Sequence, residues 1–163
     1  MLSFDRRTFL LMPLALAACG FEPVYAPGGS GSALYGRVEV SAPNTVESYL
    51  LVQNLEQQLG RSVGSVNDYK LDVQVSTVTR GAAITTTNET QRYTIDGSAQ
   101  YNLRSNATGQ IIASGSVADF VSYSAAGSTV STLADERDAK RRLMMILSGQ
   151  IMNRLYATPD LAA

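Results

Sequence analysis

Tyr93-Thr94-Ile95-Asp96-Gly97-Ser98-Ala99-Gln100-Tyr101-Asn102-Leu103 is the stretch that decides the fold. Tyr93, Ile95, Ala99, Tyr101 and Leu103 alternate with Thr94, Asp96, Gln100 and Asn102. Successive side chains of a strand point to opposite faces, so a period of two makes one face apolar and the other polar. The run is predicted to be a strand of an antiparallel sheet that is covered on one side and open on the other.

The segments around it follow the same rule. Upstream, Tyr69, Leu71, Val73 and Val75 alternate with Lys70, Asp72, Gln74 and Ser76. Downstream, Asn106-Ala107-Thr108-Gly109 reads as a turn and Ile111 to Tyr123 as the return strand. Residues 81–90, Gly-Ala-Ala-Ile-Thr-Thr-Thr-Asn-Glu-Thr, read either as a long hairpin loop or as an extension of the strands. Nearer the N-terminus, Leu34 to Val40 alternates as well and is predicted to be a short strand.

Two stretches switch to helical spacing. Asn44 is a good N-cap with Glu47 in the capping-box position; Leu51, Leu55 and Leu59 then recur every fourth residue, and Gly60 stops the run. After a Gly/Ser/Ala loop over 124–131, a second helix is predicted from about Thr132. Asp135 stands in its capping-box position, and Asp135 and Glu136 in its first turn complement the helix dipole. Its apolar stripe is Leu143, Leu147, Ile151 and Leu155, flanked by Met144 and Ile146, and Pro159 ends it. The order β-α-β-β-β-α predicts an α+β two-layer sandwich, a four-stranded sheet with two helices packed on one face.

The first residues read as an address. Residues 1–18 carry Arg6 and Arg7 and then an apolar run from Phe9 to Ala18, too short for a permanent membrane span. The run ends Leu16-Ala17-Ala18-Cys19-Gly20: small residues before a cleavable bond, then a thiol to acylate. This matches the bacterial lipobox, so 1–18 is predicted to be a lipoprotein signal peptide and Cys19 to carry a covalent lipid whose acyl chains anchor the chain to a membrane. Asp5-Arg6-Arg7-Thr8-Phe9-Leu10 resembles a twin-arginine export motif, with Asp5 where that motif has Ser or Thr; plain and twin-arginine export both remain open. Pro23, Pro27 and Gly28-Gly29-Ser30-Gly31-Ser32 predict a flexible tether over 19–33, leaving 34–163 as a single domain.

Composition narrows the chemistry. The 163 residues include no His, which removes His-based catalysis, His metal sites and His pH switching. The single Cys leaves no internal disulfide, zinc cluster or spare thiol nucleophile. A formal net charge of −1 gives no reason to expect nucleic acid. A Ser-Lys dyad would have to use Lys70 or Lys140, neither in a setting that lowers a lysine pKa, so no enzyme is expected and no cofactor beyond the lipid on Cys19.

Candidate surfaces remain. Arg80, Arg92 and Arg104, at or near strand ends, have the fork geometry for phosphate, and Lys70 joins them as a candidate head-group contact; the same cations suit edge protection. The polar sheet face, with Thr94, Asp96, Gln100 and Asn102, is nearly free of large apolar groups. It suits either a wet enclosed space such as a barrel lumen or plain solvent. Ile84, in the 81–90 segment, suits insertion into a partner or a return to the core. The charge run Asp135 to Arg142 reads as a solvated helix face with an Asp138–Arg142 pair. Most of the eight tyrosines read as core with a hydrogen-bonded rim.

Cys19-Gly20-Phe21-Glu22-Pro23-Val24-Tyr25 resembles the opening of the LPS-assembly lipoproteins, the LptE family, with Val24 where the family pattern has Leu. The resemblance continues in Tyr93 to Leu103, in Gly115-Ser116-Val117 and Ser122-Tyr123-Ser124, in Glu136-Arg137-Asp138-Ala139, and in Gln150-Ile151 with Arg154-Leu155. It implies a non-enzymatic lipoprotein in the periplasmic leaflet of the outer membrane, where Gly20 after the lipidated Cys also favours sorting. It implies that the chain sits within an LptD-like outer-membrane β-barrel, helps it assemble and binds lipopolysaccharide on its way to the outer leaflet. Two rival readings stand beside it: an auxiliary lipoprotein of another periplasmic lipid transporter, and a periplasmic hydrolase using carboxylates or a Ser-Lys pair.

Overall fold

The decisive stretch lies inside a strand running from Thr90 to Ser105, with pairing strands on both sides. A computed structural model of the chain describes residues 29–60, 67–84, 90–158 and 161. Among them the elements are α1 (Ser30–Leu34), β1 (Val38–Val40), α2 (Val46–Leu59), β2 (Tyr69–Ile84), β3 (Thr90–Ser105), β4 (Ile111–Ser124) and α3 (Thr129–Tyr156). The predicted signal peptide, Cys19, residues 20–28 of the tether, residues 85–89 and Pro159 lie outside the described residues.

The sheet order is β1-β2-β3-β4. β2 and β4 both pair antiparallel with β3, with Ala99 opposite Val75 on one side and Val117 on the other. β1 pairs parallel with β2, Val40 opposite Leu71, so the antiparallel arrangement expected of the three later strands holds and β1 makes the sheet mixed. The reason is the connection: α2 carries the chain back across the sheet, and a helical crossover returns it in the same direction, which a tight turn cannot do.

The alternation becomes burial. Leu71, Ile95, Ala99, Leu103, Val117 and Val121 are at most 8% exposed on the covered face. Leu51, Leu55 and Leu59 of α2 and Leu143, Leu147, Ile151 and Leu155 of α3 close over them, each 2% exposed or less. Each such leucine contributes about 1.5–3 kcal/mol by leaving water. Both helices share one side of the sheet, giving the α+β two-layer sandwich and the order β-α-β-β-β-α, preceded by the short α1. The close contact depends on Gly97: a Cβ there would lie 2.8 Å from Leu143 Cδ2 and 3.3 Å from Leu147 Cδ1.

Several boundaries differ from those expected. The end of the segment read as tether is helical over Ser30–Leu34, and Leu34, expected in a strand, is fully buried in the core. The amides of Ser32 and Ala33 both donate to the Gly29 carbonyl, closing a helical turn that short Gly and Ser residues permit. β1 is left with Val38–Val40. α2 is capped one residue later than expected: Thr45 Oγ1 accepts from the Ser48 amide at 3.0 Å, and Ser48 Oγ accepts from the Thr45 amide at 2.8 Å. Gly60 does end α2, at φ 70°, with the Tyr35 ring packed where a side chain would project. α3 starts at Thr129, not Thr132, with Ser128 as N-cap accepting from the Ser131 amide at 3.2 Å. Asp135 and Glu136 therefore lie beyond the first turn, which holds no acidic residue.

Candidate functional site

Helices cover one face of the sheet; the other has no covering layer among the described residues. Where the pairing is regular, the registers assign side chains to faces. Even-numbered residues over 72–80 of β2, 94–102 of β3 and 114–122 of β4 share the open face, in the cross-strand rows Arg80–Thr94–Ser122, Val78–Asp96–Phe120, Ser76–Ser98–Ala118, Gln74–Gln100–Ser116 and Asp72–Asn102–Ser114. Thr94, Asp96, Gln100 and Asn102 thus lie in line down the middle of this face. Thr94 Oγ1 and Ser122 Oγ share a hydrogen bond at 3.0 Å. For Ile84 the structure describes the backbone alone, opposite Thr90, so residues 81–84 are strand extension and no side-chain placement follows.

The face is not free of large apolar groups. Val78 is 51% exposed and Phe120 64% exposed, and they flank Asp96 in one row. Beside them, the small row Ser76–Ser98–Ala118 forms the floor of a shallow depression of about 360 Å³. Two unassigned phases hid this from sequence reasoning: β2 runs well past Val75, and β4 had no register. The signal was present, since even positions of the return strand include Ala118 and Phe120.

The four candidate cations do not converge. Arg80 and Arg92 lie toward one end of the strands, Lys70 and Arg104 at the other. At about 3.3 Å per residue the ends are roughly 30 Å apart. Arg80 Nε stands 3.4 Å from Asp96 Oδ2, and Arg104 Nε 3.8 Å from Asp72 Oδ2. Lys70 is exposed, in register between Glu39 of β1 and Arg104 of β3. Arg92 is exposed at the irregular end of the β2–β3 pairing. The middle of the open face is therefore a mosaic of neutral hydroxyl and amide groups with the paired charges Arg80–Asp96 and Arg104–Asp72, and the separated exposed cations Lys70 and Arg92 do not form a phosphate cradle.

The charge run behaves in two ways. Asp138 pairs in solvent with Arg142 at 3.0 Å and with Arg141 at 3.5 Å, as expected of a solvated face. Lys140 turns toward α2: its Nζ lies 3.1 Å from Glu47 Oε1 and 3.0 Å from Glu136 Oε1. The hydrogen bond to Glu136 holds the Lys140 ammonium above its ordinary value, ahead of the opposing effect of burial, with Glu47 adding to the rise. A lysine base needs the opposite shift. Ser148, fully buried near this helix pair, donates to the Met145 carbonyl at 2.9 Å and accepts from Gln58 at 3.3 Å.

With this geometry in hand, comparison with known proteins is specific. The family model described as LptE, lipopolysaccharide-assembly, matches residues 35–155, most of the chain. The chain belongs to the LptE family. Membership places it in lipopolysaccharide assembly in the bacterial envelope, and the matched span runs from Tyr35, just before β1, to the end of the α3 stripe at Leu155.

Solved structures agree on the fold. A lipoprotein from Caulobacter crescentus superposes with a TM-score of 0.67 at 23% identity, covering 78% of this chain and 93% of that one. The rare lipoprotein B from Shewanella oneidensis gives 0.56 at 11% identity, covering 74% and 92%. A lipoprotein B from Nitrosomonas europaea gives 0.58 at 12% identity, covering 85% and 91%. At these identities the likeness is one of fold. No curated protein matches this LptE-family chain in sequence.

Proposed function

We propose that this LptE-family chain is a lipid-anchored plug of an LptD-like outer-membrane β-barrel, helping the barrel assemble and passing lipopolysaccharide to the outer leaflet. Cys19 carries the anchor, and the domain works on the periplasmic side of the outer membrane. The observation that carries the reading is the open sheet face. A barrel lumen is polar and wet, and a plug must offer it neutral hydrogen-bonding groups without a net field. Rows such as Gln74–Gln100–Ser116 and Asp72–Asn102–Ser114 supply such groups. Val78 and Phe120 give the face one apolar anchor of the kind that dominates protein contacts.

The chain works by binding and not by catalysis. A sequence without His and a Lys140 held protonated by two carboxylates both support that reading. Lipopolysaccharide meets separate cations at the two ends of the sheet, Arg80 and Arg92 at one and Lys70 and Arg104 at the other.

The test is mild detergent extraction of outer membranes bearing a C-terminally tagged chain. Recovery of a large β-barrel at equal stoichiometry, with crosslinks from a photoreactive residue at Gln100, is expected. Recovery of the lipoprotein alone, or with an inner-membrane transporter, would sink the plug and favour the auxiliary lipid-transport role.

A further inference from the structure

The two edges of the sheet are treated differently. β4 is an edge strand of 14 residues with no Lys, Arg or Pro to discourage pairing. Helix α3 guards it instead. Arg154 Nη1 donates to the Ser116 carbonyl at 2.7 Å, Asp119 Oδ1 accepts from the Phe120 amide at 2.8 Å, and Gln150 Nε2 holds the other Asp119 oxygen at 2.7 Å.

Among the described residues the opposite edge has no such guard. β1 covers β2 only from Tyr69 to Leu71. The chain then leaves the sheet at Ser41, whose amide donates to the Leu71 carbonyl and whose Oγ accepts from the Val73 amide. Pro43 and the Thr45 cap turn it into α2. These bonds fix the phase: Leu71 and Val73 point their backbone groups outward, so Val75, Thr77 and Thr79 do too. Among the described residues none of those outward groups has a partner, and the pairing to β3 stays regular as far as Gly81. The exposed edge is Val75-Ser76-Thr77-Val78-Thr79-Arg80-Gly81, rich in β-branched residues. Its one charge, Arg80, is paired across the face to Asp96. An edge that is regular, β-branched and nearly neutral is a template for another strand.

We propose that this edge pairs with the same edge of a second copy, as an antiparallel β2–β2 dimer about Thr77 that joins two sheets into one. Self-pairing is favoured because the edge is self-complementary. With Thr77 opposite its own counterpart, Val75 faces the second copy's Thr79, and Ser76 faces its Val78. Arg80 faces the neutral Gln74 and not another arginine. All three outward residues then form hydrogen-bonded pairs, β-branched side chains meet across the seam, and no like charges oppose each other. The contact is isologous and closes at two copies. It does not rest on the barrel reading: it concerns the lipoprotein when its β2 edge is free.

The experiment uses the full-length chain in its own membranes. The two Thr77 Cα atoms of a hydrogen-bonded pair lie about 5.5 Å apart, inside the disulfide range. Cys19 is the sole native cysteine. Thr77→Cys under mild oxidation is expected to give a reducible species of twice the mass, while Thr108→Cys, in the far turn, stays single. Thr77→Pro removes only an outward amide that β3 does not use, and Thr77→Lys sets two ammonium groups opposite each other. Either is expected to return the detergent-extracted chain to the monomer mass by light scattering with its circular dichroism spectrum unchanged. Thr77→Cys that stays monomeric, or that forms an adduct only with a different protein, would overturn the proposal. So would a wild-type chain monomeric at every concentration.

Discussion

Lys140 of α3 reaches across to Glu47 in the first turn of α2, 3.1 Å from ammonium to carboxylate, with both side chains less than 30% exposed. The pair ties the start of α2 to the middle of the sequence's charge run, and Glu136 completes it from Lys140's own helix at 3.0 Å. Burial works to raise the Glu47 carboxyl, but its own backbone hydrogen bond and Lys140 outweigh burial and hold it below the ordinary 4.5.

A folded value below the unfolded one means stabilisation that is complete above pH 4.5 and is lost as pH falls through the lowered value. Lys140 runs the other way: held above its ordinary 10.5, it stabilises fully below that pH and loses its contribution as pH rises through the raised value. Lys140→Met should cost about 1 kcal/mol in urea unfolding at pH 7. The gap from wild type should narrow as pH falls below 4.5 and as it rises above 10.5. A gap independent of pH would show that the lysine acts through packing alone.

Gly97 sets the distance between sheet and helix. Gly97→Ala places a methyl 2.8 Å from Leu143 Cδ2 and 3.1 Å from its Cγ, where Leu143 is fully buried and has little room to yield. Overpacking of this kind costs about 1–3 kcal/mol. Leu143→Ala alone should cost about 2–5 kcal/mol by leaving a cavity, and the double mutant should lose less than the sum of the two, because the new methyl at 97 enters the space that Leu143 vacates. Additive losses in the double-mutant cycle would break the link.

The start of α3 gives a sharper comparison. Ser128→Ala removes the oxygen that accepts from the Ser131 amide and should lower stability by about 1 kcal/mol. Asp135→Ala, a full turn and more inside the helix, should change stability by less than about 0.5 kcal/mol. Thermal unfolding of the two variants side by side measures which residue caps the helix.

That cap shows where the sequence was legible. Periodicity over Tyr69–Val75, Tyr93–Leu103 and the Leu143–Leu155 stripe identified strands, helix and core, because one face of each is buried and burial writes itself into alternate or fourth residues. Boundaries depend on single hydrogen bonds, and Gly/Ser segments offer several equivalent caps: Ser128 and Thr45 won over Thr132 and Asn44. The parallel pairing of β1 was hidden in the geometry of the crossover. Leu34 read as strand because the short α1 needs the core beneath it to form. On the open face, Thr94, Asp96, Gln100 and Asn102 were legible from alternation within one strand. Val78 and Phe120 were not, since they meet only once the strands are in register. The candidate cations were chosen by type, and type does not say that Arg80 and Lys70 stand at opposite ends of a strand.

The open face itself can be tested by separating fold from partner. Phe120 is 64% exposed, so Phe120→Glu removes little buried area, and the new carboxylate opposite Asp96 should cost no more than about 1 kcal/mol of stability. If the face docks against a barrel, the same change puts a charge where Phe120 and Val78 anchor the contact. It should lower recovery of the barrel with the tagged lipoprotein by tenfold or more, equivalent to about 1.4 kcal/mol. Glu39→Gln, beside the short β1, should leave recovery unchanged and serves as the control for loss by charge alone. Equal recovery for Phe120→Glu and wild type would move the partner surface off this face and onto the helical side, where Val46, Tyr49, Val130, Leu133, Met145 and Ile146 are exposed apolar groups.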